Sequence, residues 1–403
     1  MGSEKCDILI LGAGIVGLSA GIAALESRPD LRVIVVDKEQ DLGFHASGRN
    51  SGVLHAGFYY SPDSLKAKFC RDGNVELKEL CRQAGIQINY CGKVVVTQDD
   101  QEEIRLDTLF QRGVANGVEL EIYDSQHLPR FEPLATTHRR FMWSPNTAIS
   151  DSRSVIRALA DKFIKRGGIL RLGEKVELVS SDGEVRDVKG RFVFSQVVNC
   201  AGAQADRIAS QIGIDHGYAM VPFMGIYRSV LQEKLPIRTL VYPVPHKINP
   251  FLGVHLTLTI DGKVKIGPTA IPVVGREQYS IRQGWSLSDI KETTRGTWAL
   301  IHGHTHDFSE IVRQEWPKLF QTKLTSEASK LVPSAREVKS WDRRPPGIRA
   351  QLVHLATGRL EQDFVIQRFL NSTHVLNAVS PGWTSALPFG RYISSEIVLP
   401  SLN

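Results

Sequence analysis

Residues 6–37 read CDILILGAGIVGLSAGIAALESRPDLRVIVVD, and this stretch decides the fold. An apolar run leads into Gly12, Gly14 and Gly17 in GxGxxG spacing, then into an apolar helical segment, a second apolar run and Asp37. Such glycines make a tight turn, let the backbone approach a pyrophosphate at the helix N-terminus, and permit close packing of helix on strand. The acid is placed to accept hydrogen bonds from a ribose. Because the parts occur in order within about 30 residues, they predict a dinucleotide-binding unit.

Two later segments indicate which dinucleotide is bound. VVNCAG, residues 197–202, is another apolar strand and ends at Ala201 and Gly202. Residues 375–398, VLNAVSPGWTSALPFGRYISSEIV, contain a strand, a loop and a helical stretch. A chain that begins with a nucleotide unit and returns to it at its end closes around a long, bound cofactor. This organisation favours FAD over a diffusible nicotinamide.

A polar, glycine-rich loop follows the ribose acid. Its sequence, DLGFHASGRNSGVLHAGFYYSP over residues 41–62, is too polar for a core strand and too long for a turn. We expect it to lie along the cofactor, because short side chains allow close approach. Besides the three glycines and the acid named above, the predicted cofactor contacts are Lys38, Ser47, Arg49, Asn50, Ser51, Gly52, Val176, Ala201, Gly202, Gly382, Thr384 and Ser385.

The composition is that of an ordinary globular protein. The 403 residues are 42% hydrophobic and 23% charged, and the chain is long enough for two domains with separate cores. The five cysteines form no CxxC pair, and the histidines form no HxxxH pattern. The sequence therefore predicts neither a disulfide framework nor a metal site.

The charge and the apolar runs bear on partners and location. A net charge of +6 suits anionic substrates or peripheral contact with an anionic membrane, although a solvated surface explains it equally well. No compact Lys/Arg block points to nucleic acid. The first strand begins close to Met1, and no apolar run approaches the roughly 20 residues that span a bilayer. We expect a cytoplasmic protein, with peripheral membrane contact as an open alternative.

Helical and strand patterns alternate along the rest of the chain. Helices are predicted over 64–84, 102–115, 151–166, 287–320 and 322–331, and strands over 94–97, 141–143 and 169–202. Alternating residues with prolines predict one antiparallel sheet over 220–267, with a hairpin turn at Asp261 and Gly262. Because no linker separates these regions, two interleaved domains are expected. The cofactor domain comprises 1–90, 146–218 and 345–403, and the substrate domain comprises 91–145 and 219–344.

Motifs spread over nearly the whole chain resemble one family. They are GAGIVG, GRNSGVLHAGFYYSPDSLKAKFC, YPVPHKINPFLGVHLT, GPTA, PGIRAQL and LNAVSPGWTSALPFG. They resemble the D-amino-acid-oxidase-like superfamily of FAD oxidoreductases and, within it, the L-2-hydroxyglutarate dehydrogenase/oxidase family. The resemblance implies a mixed α/β (α+β) fold, like that of D-amino-acid oxidase and glutathione reductase, with a Rossmann-like FAD-binding domain interleaved with an antiparallel-sheet substrate domain. It also implies that FAD oxidises a 2-hydroxy acid to the 2-oxo acid by accepting hydride at flavin N5.

The sequence departs from this family where substrate choice is expected. The family usually has PFRGEY where VPFMGIY stands here, so Met224 and Ile226 replace an arginine and a glutamate. The family usually has GHNSG where Arg49 stands, and SPAATS where Gly382 and Trp383 stand. Since buried carboxylates need donors such as arginine, the loss puts a second substrate carboxylate in question. A related 2-hydroxy or 2-amino acid is as well supported as 2-hydroxyglutarate itself.

Three residues are predicted to be catalytic. His55 is favoured as a base or as a donor to the isoalloxazine, because an imidazole titrates near neutrality. His255 lies in the strand pattern FLGVHLTLT, where it shares a face with Thr257; that face either lines a pocket or meets water. Arg349 is the first choice to hold the substrate carboxylate, with an interdomain ion pair as its alternative. For His55 the alternative is a loop histidine that satisfies a backbone carbonyl.

Four further side chains are predicted to bind substrate. Tyr60, Tyr227 and Lys66 can supply hydroxyl or ammonium donors, and packing at a domain junction is the alternative for the tyrosines. Trp383 either walls the pocket beside the flavin or is the first large apolar residue of the closing helix. Arg49 could bind the pyrophosphate, replace the missing family cation, or remain a solvated charge.

Three functions are therefore weighed. The leading hypothesis is an FAD-dependent 2-hydroxy-acid dehydrogenase or oxidase that uses a small carboxylate substrate. Its electron acceptor would be oxygen, a quinone or a partner flavoprotein. The altered VPFMGIY segment leaves amine or amino-acid oxidation as an alternative. A flavin-binding scaffold without catalysis is the third and least favoured hypothesis.

Overall fold

The opening apolar run forms a central strand of a six-stranded sheet. In this computed structural model, which describes residues 3–246, 252–280, 283–303 and 307–402, the strands in spatial order are β22 (Val365–Phe369), β23 (Ser372–Asn377), β12 (Phe192–Asn199), β1 (Glu4–Leu11), β2 (Val33–Asp37) and β9 (Ile169–Leu172). All neighbours pair in parallel except β22 with β23. Residues Ile8–Leu11 of β1 and Val33–Val36 of β2 are continuously apolar because parallel strands are covered on both faces.

A second, eight-stranded sheet contains most of the alternating segments. In spatial order its strands are β19 (Asp342–Arg343), β14 (Arg228–Leu231), β17 (Lys263–Gly267), β16 (His255–Leu258), β15 (Leu240–Pro243), β5 (Lys93–Val96), β7 (Arg140–Ser144) and β6 (Glu121–Asp124). Its pairs are antiparallel except for β15 with β5. The predicted hairpin turn at Asp261 and Gly262 joins β16 to β17, as expected.

Three smaller sheets complete the strands. The four-stranded sheet has the order β18 (Ile271–Pro272), β13 (Tyr218–Gly225), β20 (Gly347–His354) and β21 (Arg359–Leu360). A three-stranded sheet has the order β3 (Val53–Leu54), β8 (Ala148–Ser150) and β4 (Ile88–Asn89). The hairpin of β10 (Leu178–Ser181) and β11 (Glu184–Asp187) stands alone.

Helices cover the sheets. They are α1 (Ile15–Ser27), α2 (Leu65–Gln83), α3 (Asp100–Ala115), α4 (Leu128–Phe131), α5 (Ser152–Lys165), α6 (Ala205–Gln211), α7 (Leu287–His302), α8 (Asp307–Glu315), α9 (Gln321–Ser329) and α10 (Ala386–Arg391), which continues as a wider turn over Tyr392–Val398. Short 3₁₀ turns lie at Ser125–His127, Gly202–Gln204, Gln232–Lys234, Trp316–Leu319, Pro333–Glu337 and Leu399–Ser401.

Helix starts follow the capping residues that the sequence offers. The side chains of Ser64, Asp99 and Asp151 accept backbone N–H groups of the first turns of α2, α3 and α5, at 3.1, 2.8 and 2.8 Å. Such caps satisfy donors that have no partner inside the helix. The predicted helices over 64–84, 102–115 and 151–166 are therefore confirmed to within about two residues at each end.

One expectation about the sheets is corrected. The strands of 220–267 do not form one antiparallel sheet, since β13 joins β20 in the four-stranded sheet and β15 pairs with β5 in parallel. Within 169–202 the chain forms strands as predicted: β9 and β12 join the six-stranded sheet, and β10 and β11 form a separate hairpin. Alternation along a strand shows that one of its faces is covered, but it does not specify the neighbouring strand.

The helical segments expected over 287–320 are interrupted. Helices α7 and α8 are separated by residues that include 304–306, which lie outside the described ranges, and a 3₁₀ turn follows α8. Pro317 lies at the start of that turn, where its missing N–H costs nothing. The part of the motif YPVPHKINPFLGVHLT at 247–251 also lies outside the described residues.

A buried network of ion pairs links α6, α7 and the segment that contains Arg276. Arg276, with 2% of its side chain exposed, pairs through its guanidinium with Asp206 on α6 and, at 2.6 Å, with Glu292 on α7. The same guanidinium donates to the Ala203 carbonyl at 2.6 Å. Because these partners come from segments distant in sequence, the network fixes α7 against the end of β12.

Replacing Arg276 by methionine should therefore destabilise the fold. The change leaves Asp206, which is 4% exposed, without its counter-charge, and such losses cost about 3–5 kcal/mol. Arg313→Met is the matched control, because Arg313 forms its ion pair with Glu310 at an exposed site. We expect the control to change the free energy of unfolding by less than about 1 kcal/mol in denaturant titrations. Equal effects of the two changes would contradict a stabilising role for the buried network.

Candidate active site

The glycine turn after β1 is shaped for close approach. Gly12 has a φ of +103°, and a Cβ built there would lie 2.5 Å from the carbonyl oxygen of Cys200. A Cβ at Gly17 would lie 2.1 Å from the Gly12 carbonyl oxygen. The turn is held by the Gly12 N–H, which donates to Val36 at 2.7 Å. Only glycine fits these positions without displacing backbone, as a phosphate-cradling turn requires.

The N-terminus of α1 carries no negative side chain. Gly14 is its cap residue, and the first turn contains no acidic residue. The N–H of Ile15 donates to the Ser47 hydroxyl at 3.0 Å, so the polar loop lies against the helix start. Asp37 accepts from the N–H of Ala13 at 2.8 Å and from the N–H of Glu39 at 2.9 Å. An uncompensated helix N-terminus next to a glycine turn fits the pyrophosphate of FAD.

The tail of the chain meets both the turn and the loop. The Thr384 hydroxyl accepts from the backbone N–H of His55 at 3.2 Å and donates to the Val53 carbonyl at 3.3 Å. Gly390 in α10 packs so closely on α1 that a Cβ there would lie 2.6 Å from Ser19. The glycine turn, the histidine-bearing loop and the C-terminal segment therefore converge, as the sequence predicts for a bound FAD.

Several predicted cofactor residues are held by other parts of the loop. The Asn50 amide donates to the Ala46 and Ser47 carbonyls, and its oxygen accepts from Gly52. The Ser51 carbonyl accepts from Lys265 at 3.2 Å, which joins the loop to β17. These hydrogen bonds stabilise the conformation of the loop and are not themselves contacts with a cofactor.

Of the remaining predicted cofactor residues, some lie beside the glycine turn and others are buried. Ala201 and Gly202 follow β12 directly beside Gly12, while Gly382, whose Cβ would lie 2.1 Å from the Ala378 carbonyl, shapes the tail loop. Val176 is buried in the apolar cluster beneath the six-stranded sheet, and Ser385 is fully buried. Their contacts with a cofactor stay predictions.

Lys38 and Arg49 are engaged at one edge of the loop. The Lys38 ammonium lies 2.8 Å from the carboxylates of both Glu39 and Glu277. Burial alone would lower the pKa of Lys38, but its hydrogen bonds to these carboxylates outweigh burial and raise it. The Arg49 guanidinium lies 4.0 Å from the ring centre of Tyr279 and donates to the Phe44 and Pro346 carbonyls. The interpretation of Arg49 as a free, solvated charge is therefore wrong.

The eight-stranded sheet carries a polar, buried face. Cross-strand partners share a face, and the register pairs Lys265 with both Thr257 and Ser229, and Lys93 with Leu240. Two residues along from Leu240, Tyr242 stacks on His255 with ring centres 3.8 Å apart. The opposite face is mostly apolar, with residues such as Val94, Val241 and Leu256, although Arg228 in β14 also lies on it. A sheet face this polar is normally exposed, but here it is covered.

His255 is oriented as a proton acceptor. It is 4% exposed, which rules out the interpretation that its face meets water. Its Nδ1 lies 2.8 Å from the Gly253 carbonyl oxygen, and because a carbonyl can only accept, Nδ1 carries the proton and Nε2 presents a lone pair. Burial lowers the pKa of His255 to about 3, and the charges of Lys93 and Lys265 add to this effect. The imidazole is therefore neutral at physiological pH.

His55 lies against the same polar face. Burial, followed by the charge of Lys93 and by His255, holds the pKa of His55 well below its usual range. Its Nδ1 is buried and has no hydrogen-bond partner among the described residues. The interpretation in which His55 satisfies a backbone carbonyl through that nitrogen is not supported. A buried, unpartnered nitrogen fits a site completed by a ligand.

The predicted carboxylate donors form a second group. The Tyr60 and Tyr227 hydroxyls both interact electrostatically with Arg349, whose pKa is lowered mainly by burial. The Tyr60 hydroxyl also hydrogen bonds Ser380 in the tail loop. Lys66, 3% exposed, has its pKa lowered to about 7 by burial and by the charge of Arg349. Two buried cations and two hydroxyls thus lie together, as recognition of a carboxylate requires.

Trp383 has features of both roles predicted for it, a pocket wall beside the flavin and the first large apolar residue of the closing helix. Its ring packs against the apolar cluster of α1, α5 and α10, which is the role expected of the first large residue of the closing helix. Its Nε1 is buried and has no hydrogen-bond partner among the described residues. Buried indole N–H groups usually find an acceptor, so a pocket wall that donates to a ligand also remains open.

The sequence interpretation missed two residues in strands, Lys93 and Tyr242, and one in the loop before α2, Tyr59. Lys93, Tyr242 and Tyr59 all lie at the polar face, and the Nζ of Lys93 is 4.2 Å from the ring centre of Tyr242 and 5.0 Å from that of Tyr59. A signal was present in CGKVVVT, because a lysine at the start of a buried apolar strand is rare unless it faces a polar site.

Comparisons with known proteins define the class. Residues 7–396 match the family described as FAD dependent oxidoreductase (DAO), so the protein is an FAD-dependent oxidoreductase. Within that class the chain belongs to the family of the L-2-hydroxyglutarate dehydrogenases. It is 34% identical to the enzyme of Escherichia coli K12 over 97% of this chain and 93% of the relative, and 34% identical to the mitochondrial enzyme of Homo sapiens over 98% and 89%.

Solved structures support the same fold. L-alpha-glycerophosphate oxidase from Mycoplasma pneumoniae, determined with FAD bound, superimposes with a TM-score of 0.77 at 21% identity over 98% of this chain and 95% of that one. Glycine oxidase from Geobacillus kaustophilus superimposes with a TM-score of 0.70 at 16% identity over 98% and 95%. The predictions of family, of fold class and of FAD as cofactor are confirmed.

None of the helices in the described ranges is long and apolar enough to cross a membrane. The roles assigned to individual site residues, the domain boundaries and the cytoplasmic location remain predictions.

The turn itself gives a direct test of cofactor binding. Gly12→Val should abolish FAD retention, because its side chain would collide with the Cys200 carbonyl in a backbone conformation that only glycine adopts readily. Gly183→Ala is the control, since Gly183 has a φ of +79° but nothing within 4 Å of its Cβ position. Visible flavin absorbance per protein reports the outcome, and retention of normal FAD by Gly12→Val would contradict the assignment.

Proposed function

We propose that the protein oxidises small 2-hydroxy acids of the 2-hydroxyglutarate type to 2-oxo acids. One observation carries the proposal: the neutral imidazole of His255, whose Nε2 forms no hydrogen bond to a described residue, lies on a buried polar face together with His55, while Arg349 and two tyrosines lie beside it. Alcohol oxidation needs a proton acceptor and a carboxylate clamp in one enclosed place. The names of the relatives support the same substrate class.

FAD, when bound, supplies the acceptor for the hydride and its two electrons. We assign the proton of the substrate hydroxyl to Nε2 of His255, because Nδ1 is fixed as a donor by Gly253. A bound carboxylate raises the low pKa of His255, since a nearby anion stabilises the imidazolium. His55 is assigned to the cofactor side, as a hydrogen-bond donor to the bound isoalloxazine.

Arg349 is assigned to the substrate carboxylate. Its guanidinium can form two parallel hydrogen bonds to a carboxylate, and the hydroxyls of Tyr60 and Tyr227 lie close enough to share the charge. Lys66 adds a second positive charge on the same side. In this arrangement the substrate is held by one end while its hydroxyl carbon reaches the face that bears His255.

The proposed cofactor domain comprises 1–90, 146–218 and 345–403, and the substrate domain comprises 91–145 and 219–344. The six-stranded sheet lies wholly in the first set and the eight-stranded sheet wholly in the second. Most of the buried polar residues described above, those around His255 and those around Arg349, lie where the two proposed domains meet.

The experiment is anaerobic reduction of the bound flavin by a substrate panel. Small L-2-hydroxy acids should bleach the visible flavin absorbance, whereas their D enantiomers and the matching 2-amino and N-methyl acids should not. Reduction by the amino acids alone would replace the proposal with amine oxidation, the alternative that the relatives do not favour. A flavin that no member of the panel reduces would indicate a non-catalytic scaffold.

His255→Asn tests the proton acceptor. Asparagine can keep the bond to Gly253 but lacks the Nε2 lone pair, so kcat should fall about 10²- to 10⁴-fold with FAD retained. Because the pKa of His255 is lowered to about 3, the wild-type imidazole stays deprotonated, and its acceptor role should persist from pH 8 down to pH 5. His138→Asn, at an exposed histidine, is the control. Unchanged kcat in His255→Asn would remove this assignment.

The electron acceptor and membrane contact are part of the same proposal. Reduced flavin must pass electrons to oxygen, a quinone or a partner flavoprotein.

Helix α7 presents an exposed face with Leu287, Trp298 and Ile301 at helical spacing, 82%, 62% and 57% exposed, together with Lys291 and Arg295. Apolar anchors beside cations fit an anionic lipid surface, so we propose peripheral membrane contact through this face.

Vesicle sedimentation tests that contact. The protein should co-sediment with vesicles that contain anionic phospholipid, and less with neutral vesicles, because Lys291 and Arg295 add electrostatic attraction. Trp298→Ser should reduce binding severalfold, whereas Val75→Ser, at an equally exposed residue of α2, should not. Absence of binding to anionic vesicles at low salt would contradict the membrane proposal.

A further inference from the structure

Lys93 is a buried cation without a counter-charge among the described residues. It opens β5 and is 0% exposed, and its Nζ has no hydrogen-bond partner in that part of the chain. No carboxylate in the described ranges forms an ion pair with it, and the groups that act on its pKa besides burial are the thiols of Cys70 and Cys91. Burying an ammonium in this condition has a free-energy cost, because the group loses its hydration and gains no partner. An anion that enters the site would remove that cost.

The groups around Lys93 place its charge next to the active-site histidines. Its Nζ lies 4.2 Å from the ring centre of Tyr242, 5.0 Å from that of Tyr59 and 5.1 Å from that of Phe58. Its charge lowers the pKa of both His55 and His255. Lys93 is therefore a neighbour of the residues assigned to proton transfer.

Two positive regions flank the polar face. One contains Arg349 and Lys66, whose charges repel one another. The other contains Lys93, which lies in β5 of the eight-stranded sheet, whereas Arg349 lies in β20 of the four-stranded sheet. Tyr60 interacts electrostatically with Arg349 and also with Tyr242, on which Lys93 rests. Tyr60 and Tyr242 therefore connect the two positive regions.

We propose that Lys93 binds a second anionic group of the substrate, so that the site selects 2-hydroxy dicarboxylic acids over monocarboxylic ones. The proposal rests on the proposed function and deepens it. One carboxylate lies at Arg349, the hydroxyl carbon lies near His255, and the distal carboxylate lies at the Lys93 ammonium. Lys93 then supplies the cation that the apolar Met224 cannot, although β13 is a different strand in a different sheet.

The pKa of Lys93 gives the proposal a second signature. Burial lowers it to about 7, so the free enzyme loses this charge as the pH rises through neutrality. The groups that face Lys93 are His55, His255, Cys70, Cys91, Tyr59 and Tyr242, and neither histidine is charged at that pH. The kcat/KM of a dicarboxylic substrate should therefore fall about tenfold per unit above pH 7. That of a monocarboxylic substrate should fall less.

The experiment compares two substrates that differ only at the distal end. Wild-type, Lys93→Met and Lys78→Met holoenzymes are assayed with 2-hydroxyglutarate and with 2-hydroxypentanoate, in which a methyl group replaces the distal carboxylate. Lys78 is the matched control, because its ammonium also lies over an aromatic ring, that of Tyr90, but donates to the Asn146 carbonyl. Lys93→Met should raise the KM for 2-hydroxyglutarate about 100-fold. Its KM for 2-hydroxypentanoate should change less than about threefold.

Other results have definite meanings. An equal loss of kcat with both substrates would assign Lys93 to proton transfer and overturn the proposal, as would unchanged kinetics with both. If no 2-hydroxy acid reduces the wild-type flavin, the proposed function itself fails. These outcomes separate the failure of the function from the failure of the Lys93 assignment.

A measurement on the wild-type protein covers the case in which Lys93→Met does not fold. Glutarate and pentanoate, which lack the reactive hydroxyl, are titrated while the visible spectrum of the bound flavin is followed. Glutarate should bind at least about tenfold more tightly, and its advantage should shrink above pH 7. Equal affinities would overturn the proposal.

Discussion

The covering of a polar sheet face is the constraint on which the rest of the structure depends. The eight-stranded sheet presents Lys93, Tyr242, His255 and Lys265 on one side, and mostly apolar neighbours on the other. A face of this kind would be stable in water, yet it is buried against the loop that carries His55 and the strand that carries Arg349. Burial neutralises the histidines, and the Lys93 ammonium has no hydrogen-bond partner among the described residues. A site with these properties is prepared for a small anion.

The buried position of these groups depends on the nucleotide half of the molecule. Gly12 brings the end of β1 against Cys200, Ser47 holds the loop at the start of α1, and Thr384 anchors the backbone of His55. Each contact joins segments far apart in the chain. One set of close backbone contacts therefore positions both the glycine turn and the polar face of the eight-stranded sheet. A change at the glycine turn should for this reason also affect the position of His55.

Much of the site could be predicted from residue types. The turn glycines, His55, His255 and Arg349 were predicted because each stands in a local pattern with a chemical meaning, such as GxGxxG, or in a family motif. Lys93 and Tyr242 were not, because the unusual position of a lysine or tyrosine at one end of an apolar strand does not show which groups it faces. Its role arises only when β5 and β15 pair in parallel and place both on one face.

The sequence by itself determined the strand–turn–helix unit, the main helices with their capping residues, the cofactor and the family, because all of these depend on short-range patterns or on motif matches. Only the tertiary structure decided that β13 leaves the large sheet, that the face of His255 is buried, and that Lys93 has no hydrogen-bond partner among the residues that the structure describes. Strand neighbours and burial depend on contacts between distant residues, and the periodicity of a single segment does not encode them.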